Sequence, residues 1–195
     1  MDLLFFDLDG TLLNSESEIS NFTQETLVKL KLNNIAYSAA TGRTMLTGTD
    51  ILKGHGFELP QVYSNGVTIW DPRNNSLSLE HLLGSSEISI IIEAAGLQGI
   101  TPFVHAVSES EYFIYHAKPR HEIEKELISA RYQNTKAKIM SLDQLTDMSE
   151  VTNVSMIGIA AAVEEVQREL NKNRNLVSYS GPAMEGSPYK WMDIH

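Results

Sequence analysis

The chain has 195 residues, 42% of them hydrophobic and 21% charged, with 15 basic side chains against 25 acidic ones and a formal charge of -10. That length holds one large domain or two small ones, and the composition is that of a folded globular protein rather than a disordered one. So acidic a surface repels nucleic acid and anionic membranes, and the absence of cysteine excludes disulfides, thiolate nucleophiles and cysteine-ligated zinc.

The same charge repels a phosphorylated metabolite, so an anion site here needs local positive charge or a metal. Met1 is followed by Asp2 and only a short apolar run, which is no signal peptide. The stretch ISIIIEAAG is broken by Glu93 and is too short to span a bilayer. The reading is of a cytoplasmic protein with no nucleic-acid or membrane partner.

Leu3 to Phe6 is a continuous apolar run, suited to a strand of a parallel sheet. Residues 20–32 carry apolar side chains at helical spacing, with Ser20 as N-cap and Asn33-Asn34 as the end. IAYSAA, residues 35–40, reads as a second strand, and TGR opens a second helix that runs toward Leu52. QVYS, residues 61–64, is a third strand, followed by a turn at Asn65-Gly66. Alternating strands and helices with short connections predict right-handed crossovers and a parallel sheet, whose ligands gather at the carboxyl ends of the strands. Asp7, Thr41 and Asn65 fall at three such ends.

The pattern then changes. VTIWDPRNNSLSLEHLL reads as a hairpin, Ser86 to Ala95 as a helix, and TPFVHAV and YFIYHA as a second hairpin around the acidic turn SESE. Pro119 to Tyr132 is a charged amphipathic helix, VTNVSMIGI a strand, Ala161 to Asn173 a helix, NLVSYS a strand and YKWMDI a last strand. The expected division is 1–81 for an α/β core, 82–182 for an inserted α+β domain, and 183–195 for a strand returning to the core.

The chemistry concentrates in FFDLDGTLL. A carboxylate can attack phosphorus and form an aspartyl phosphate, splitting one displacement into two easier ones. It needs a cation to offset the charge of its substrate, and a hard oxygen site suits Mg²⁺. A second carboxylate two residues on lies on the same side of an extended segment, placed to protonate a leaving oxygen and then to activate water. Gly10 lets the backbone turn close to a ligand. An isolated D-x-D is more often a strand ending in a polar turn. Here the apolar strand before it, Gly-Thr after it and TGR at the next strand end favour function. In AATGRT, the Thr41 hydroxyl and the free N–H groups of a helix start form an anion cradle, and Gly42 allows close approach. Arg43 adds positive charge to that site or faces solvent.

FFDLDGTLL, AATGR and YSNG, in that order and spacing, resemble the haloacid dehalogenase superfamily, and within it the Cof-type phosphatases with an α/β cap of type IIB inserted after the third core strand. The resemblance implies a partial Rossmann-like core with an inserted cap, and a Mg²⁺-dependent phosphatase of small phosphorylated metabolites. It makes Asp7 the nucleophile and Asp9 the general acid/base, with Asp7 and the Asp9 carbonyl as Mg²⁺ ligands. Thr41 and the Gly42 amide would hold the phosphoryl oxygens, with Asn65 and Gly66 close to the substrate phosphate.

The family pattern continues with a lysine after a strand like YKWMDI and then a Gly-Asp-x-x-Asn-Asp motif that completes the Mg²⁺ site. This sequence has no Gly-Asp dipeptide, and Lys190 precedes the strand. Asp143 and Asp147 are better read as a solvated helical turn than as replacement ligands. The expectation is a chain truncated before those motifs, weak in Mg²⁺ binding and in turnover, with Leu3–Phe6 left as an open edge for self-association. Metal-dependent hydrolysis that tracks the protein and vanishes in Asp7→Asn would overturn the expected impairment. The other function classes are a non-catalytic phosphate-binding remnant and a phospho-acceptor receiver domain; the D-x-D-G-T order argues against the second. Among the histidines, His105 and His116 are placed to face each other across the second hairpin, and Trp70 and Trp191 read as core or hinge residues.

Overall fold

The computed structural model describes residues 2–108, 111–148, 150–183 and 187–195. The chain forms two compact units, Met1–Glu80 and His81–His195.

In the first unit, β1 (Leu3–Phe6) lies parallel to β2 (Ala36–Ala39), with Leu3 opposite Ala36 and Phe6 opposite Ala39. The connecting helix α1 (Asn21–Leu32) begins where the Ser20 hydroxyl accepts the Thr23 N–H at 3.2 Å. This is the N-cap that Ser20 promised. The helix stops at Asn33, and Asn34 turns out of it with φ 58°. Helix α2 (Met45–Leu52) starts three residues later than TGR implied, with Thr44 as its cap. Thr41 to Arg43 therefore form a loop and not a helix start, because the Thr41 hydroxyl accepts the Arg43 N–H at 3.1 Å and closes a tight turn there.

The third strand keeps the expected parallel direction but is short. β3 (Gln61–Tyr63) touches the parallel pair through the single bridge Ala40–Val62, then joins β4 (Thr68–Asp71) and β5 (Ser76–Leu79) in an antiparallel sheet. It is cut short because Ser64 and Asn65 adopt left-handed conformations, with φ of 49° and 53°. The core of this unit packs Leu8, Leu12, Leu27, Tyr37, Leu52 and Tyr63. Tyr63 lies so close over Gly48 that a Cβ there would stand 2.5 Å from its ring. Among the described residues β1 pairs with β2 alone, and Leu3, Leu4 and Phe5 are 48, 39 and 54% exposed. The edge is open and apolar.

The second unit is a six-stranded sheet of order β10-β11-β9-β6-β7-β8. Its elements are α3 (Ser85–Leu97), β6 (Phe103–Ser108), β7 (Glu111–His116), α4 (Glu122–Ala130), β8 (Lys138–Ser141), β9 (Val151–Ile159), α5 (Ala160–Leu170), β10 (Ser178–Pro182) and β11 (Tyr189–Ile194). Two residues of the SESE turn, 109 and 110, lie outside the described residues. Strand β8 was not anticipated; KIMS has no clear alternation, and its place comes from parallel pairing with β7. The expected return of YKWMDI to the first unit is corrected. β11 sits between β10 and β9, and Met192 and Ile194 enter the core shared by α3 and α5. Those two apolar positions alternate with Trp191 and Asp193, so burying them fixes which face the strand presents. Trp191, expected as a core or hinge residue, is 42% exposed and lies over Gly181 on the neighbouring strand.

Helix α4 starts at Glu122, later than its sequence pattern implied. The fully buried Glu124 carboxylate accepts the N–H groups of Thr101 at 2.7 Å, Arg120 at 2.5 Å and His121 at 3.0 Å, and the Thr101 hydroxyl at 2.9 Å. These four donors satisfy a buried charge that would otherwise be costly. Glu124→Ala strands them, and the expected loss is about 2–4 kcal/mol of unfolding free energy, read by urea denaturation.

The two histidines of the second hairpin do not face each other. Register sets His105 opposite Ile114 and His116 opposite Phe103. His105 Nε2 instead meets the Ser155 hydroxyl at 2.8 Å, which also meets the Tyr132 hydroxyl at 2.9 Å. Burial pushes the imidazole down to about 4, with the nearby Asp193 opposing the shift in part, and pushes the Tyr132 phenol up to about 12. A folded-state value below the unfolded one means the unfolded chain binds the extra proton. Stability is then full above pH 6.5 and falls as pH drops toward about 4. The contribution is on the order of 3 kcal/mol. His105→Gln is expected to shrink the difference in urea midpoint between pH 7 and pH 5.

Candidate active site

The rim of the first unit is built by register. Ala40 N–H donates to the Phe6 carbonyl at 2.9 Å, and Thr41 N–H to the Val62 carbonyl at 3.0 Å. The next residues on the three strands therefore emerge side by side: Asp7 after β1, Thr41 after β2, and Ser64-Asn65-Gly66 after β3.

After Asp7 the chain makes a wide turn in which Leu12 N–H reaches the Asp7 carbonyl at 3.3 Å and Leu13 N–H the Leu8 carbonyl at 2.9 Å. Gly10, at φ 71°, supplies the left-handed residue the turn requires. Leu8 and Leu12 anchor the turn in the core, so the intervening polar residues face out. Asp7 is exposed, and its Oδ1 accepts the Leu8 N–H at 2.8 Å.

Thr41 is buried. Its hydroxyl accepts the Arg43 N–H, which leaves the hydroxyl proton for a further acceptor. The loop after β3 is fastened to this segment: Ser64 N–H donates to the Arg43 carbonyl at 2.9 Å and Asn65 N–H to the Thr41 carbonyl at 3.2 Å. Ser64, Asn65 and Gly66 all have positive φ, at 49°, 53° and 104°. Backbone of this kind costs energy and collects at functional sites. The Asn65 side chain covers Gly42, where a Cβ would come within 3.0 Å of Oδ1.

Arg43 resolves the alternative left open by the sequence. Its Nε and Nη2 donate to the two Asp9 carboxylate oxygens at 2.7 and 2.6 Å, and Nη2 also reaches the Ser17 hydroxyl at 3.3 Å. Those hydrogen bonds raise the guanidinium above its ordinary value, so it stays charged. Asp9, proposed from sequence as the acid/base, is thus held in a bidentate pair. Ser17 had no signal in the sequence; it is brought in by the turn at Asn14, whose side chain accepts the Glu16 and Glu18 N–H groups. Among the described residues no three His, Cys, Asp or Glu side chains cluster to hold a metal ion. The Asp7 carboxylate and the Asp9 backbone carbonyl offer hard oxygen donors, which fit Mg²⁺ in kind; Mg²⁺ keeps several waters and uses one or two carboxylates plus substrate phosphate. No helix of the described residues is long and apolar enough to cross a membrane.

A parallel strand pair with Asp-x-Asp-Gly-Thr at one end and Thr-Gly-Arg at the other, joined to a separate α+β unit, defines an α/β protein of the haloacid dehalogenase type. A model of the haloacid dehalogenase-like hydrolase family matches residues 4–188, and the chain belongs to that family. Over 73 residues it is 30% identical to 5-amino-6-(5-phospho-D-ribitylamino)uracil phosphatase YcsE of Bacillus subtilis (strain 168), covering 37% of this chain and 29% of that protein. Over 72 residues it is 33% identical to phosphatase YwpJ of the same organism, covering 37% of this chain and 25% of that one. The chain thus spans less than a third of either curated relative.

Among solved structures, a haloacid dehalogenase-like hydrolase from Bacteroides thetaiotaomicron superposes with a TM-score of 0.72 at 21% identity, covering 99% of this chain and 70% of that one. A subclass IIB sugar phosphatase of the superfamily superposes at 0.70 with 17% identity, covering 100% and 69%. These likenesses establish the fold.

Gly42→Ala is expected to displace the Asn65 side chain while changing unfolding free energy by less than about 1 kcal/mol. Side-chain amide resonances of Asn65 before and after the substitution, with a thermal melt alongside, check both halves.

Proposed function

We propose that the chain is a phosphatase of small phosphorylated metabolites, a phosphoric monoester hydrolase that works through a phosphorylated Asp7. The observation that carries the reading is the parallel register that brings Asp7 beside Thr41, with the Ser64–Gly66 loop bonded to the same segment. Family membership and the named phosphatase relatives support it.

In the first half-reaction, an Asp7 oxygen forms a bond to phosphorus as the bond to the leaving oxygen breaks. The Asp9 carboxyl gives its proton to that oxygen, and the alcohol departs. In the second, water attacks phosphorus, its proton passes to Asp9, and the Asp7–phosphorus bond breaks with its electron pair returning to the carboxylate. The Thr41 hydroxyl and the Gly42 N–H hold the phosphoryl oxygens, and the Asn65 side chain and Gly66 lie beside them. Mg²⁺, which superfamily phosphotransferases generally use, would supply positive charge between Asp7 and the phosphate, held by the Asp7 carboxylate and the Asp9 carbonyl.

A second reading, phosphate binding without hydrolysis, is favoured by one observation: both Asp9 oxygens are occupied by Arg43.

Hydrolysis of p-nitrophenyl phosphate with Mg²⁺ tests the choice. A metal-dependent rate, lost at least about a hundredfold in Asp7→Asn, supports the enzyme. A rate unchanged by that substitution refutes it, and absent turnover with phosphate still binding supports the second reading.

A further inference from the structure

Arg43 is tied to all three rim segments: its N–H to Thr41, its carbonyl to Ser64, and its guanidinium to Asp9 and Ser17. The first unit has four other cationic side chains, Lys29, Lys31, Lys53 and Arg73. Topology takes all four away from the rim. Lys29 and Lys31 are in the last turn of α1, which returns to the start of β2. Lys53 ends α2, which returns to the start of β3, and Arg73 is in the turn after β4, which runs back along β3. Lys31 and Arg73 are also committed to Glu58, at 2.6 and 3.7 Å.

Within the first unit, an anion arriving beside Asp7 therefore has Arg43 as its nearest placed cation, and that cation is engaged. Both Asp9 oxygens lie in the guanidinium fork, so neither is available to a leaving group while the pair holds. The guanidinium side is 22% exposed and its backbone is fixed at both ends, whereas the Asp9 side chain is 59% exposed. The carboxylate is the more exposed member of the pair. A phosphate dianion has the geometry for the same fork and carries more charge.

We infer that the Asp9 carboxylate occupies the Arg43 fork in place of a phosphate, and that an incoming phosphate displaces it, so that Arg43 binds the anion and Asp9 is released toward the leaving oxygen in one exchange. The inference deepens the phosphatase reading and rests on it for the second consequence; the exchange itself is a binding event. It makes Arg43 an anion-binding residue and the positioning residue of Asp9.

Inorganic phosphate binding to the 195-residue chain, measured calorimetrically at fixed pH in EDTA, tests the exchange without turnover. Arg43→Met is expected to weaken binding about tenfold, and Arg43→Lys, which keeps the charge but loses the fork, to fall between. Asp9→Asn removes the competing anion and is expected to tighten binding about fivefold. The decisive quantity is the coupling of the two: in the Arg43→Met background the Asp9→Asn gain should largely disappear. A gain of the same size in both backgrounds would mean simple charge repulsion and would overturn the exchange. So would an Arg43→Met affinity equal to that of the parent, or no phosphate binding by either the parent or Asp9→Asn. A double-mutant melt within a few degrees of the parent keeps misfolding from imitating these results. Failure of turnover with the coupling intact would sink hydrolysis and leave the exchange standing.

Discussion

The hydrogen bond from Ala40 to the Phe6 carbonyl and the one from Thr41 to the Val62 carbonyl set the relative register of three strands, and the rest of the rim follows from them. Side chains alternate along a strand, so a slip of one residue would send the Asp7 carboxylate to the opposite face from its present one. The register is held by what lies on either side of it. Leu8 and Leu12 are buried directly after Asp7, and Tyr37 and Ala39 are buried within β2. The polar loops are thereby presented at the carboxyl ends of the strands by an apolar anchor immediately next to each of them.

Charge is the scarce resource at this rim. A chain with ten more acidic than basic groups has placed a guanidinium on the Asp9 carboxylate, and has tied its backbone into two loops. A bidentate pair between guanidinium and carboxylate is directional in a way that a lysine contact is not. It fixes the Asp9 side chain, and it also makes the state of Asp9 depend on whatever else can occupy the fork. The left-handed run at Ser64, Asn65 and Gly66 belongs to the same device: it spends backbone strain to turn the chain back onto Thr41 and Arg43.

The second unit is organised on a different principle. Its sheet buries one face against α3 and α5 with aliphatic side chains, while its interior polar groups are satisfied in local clusters: Glu124 by four donors, and His105 through Ser155 and Tyr132. Each cluster links segments far apart in sequence, which makes the unit sensitive to loss of a single polar side chain. The sheet gains its last strand, β11, because Met192 and Ile194 complete the aliphatic face.

Elements whose cause is local were legible in the sequence. The apolar run of β1, the Ser20 cap and Asn33-Asn34 end of α1, the Asp-Pro and Asn-Asn turn of the first hairpin and the nine residues of β9 all carry their own signals. So does Asp7 at a strand end, since D-x-D-G-T combines an apolar strand, two like charges and a glycine that takes positive φ. Pairing across sequence distance was not legible. Nothing in YKWMDI says whether it joins the first sheet or the second, because any alternating strand fits any apolar face until its neighbours are in place. Nor does the sequence say that Arg43 closes on Asp9, which is 34 residues away, or that β8 exists at all. Those features were decided by tertiary structure, where long-range register brings charges and unpaired backbone groups together and leaves one low-energy way to satisfy them.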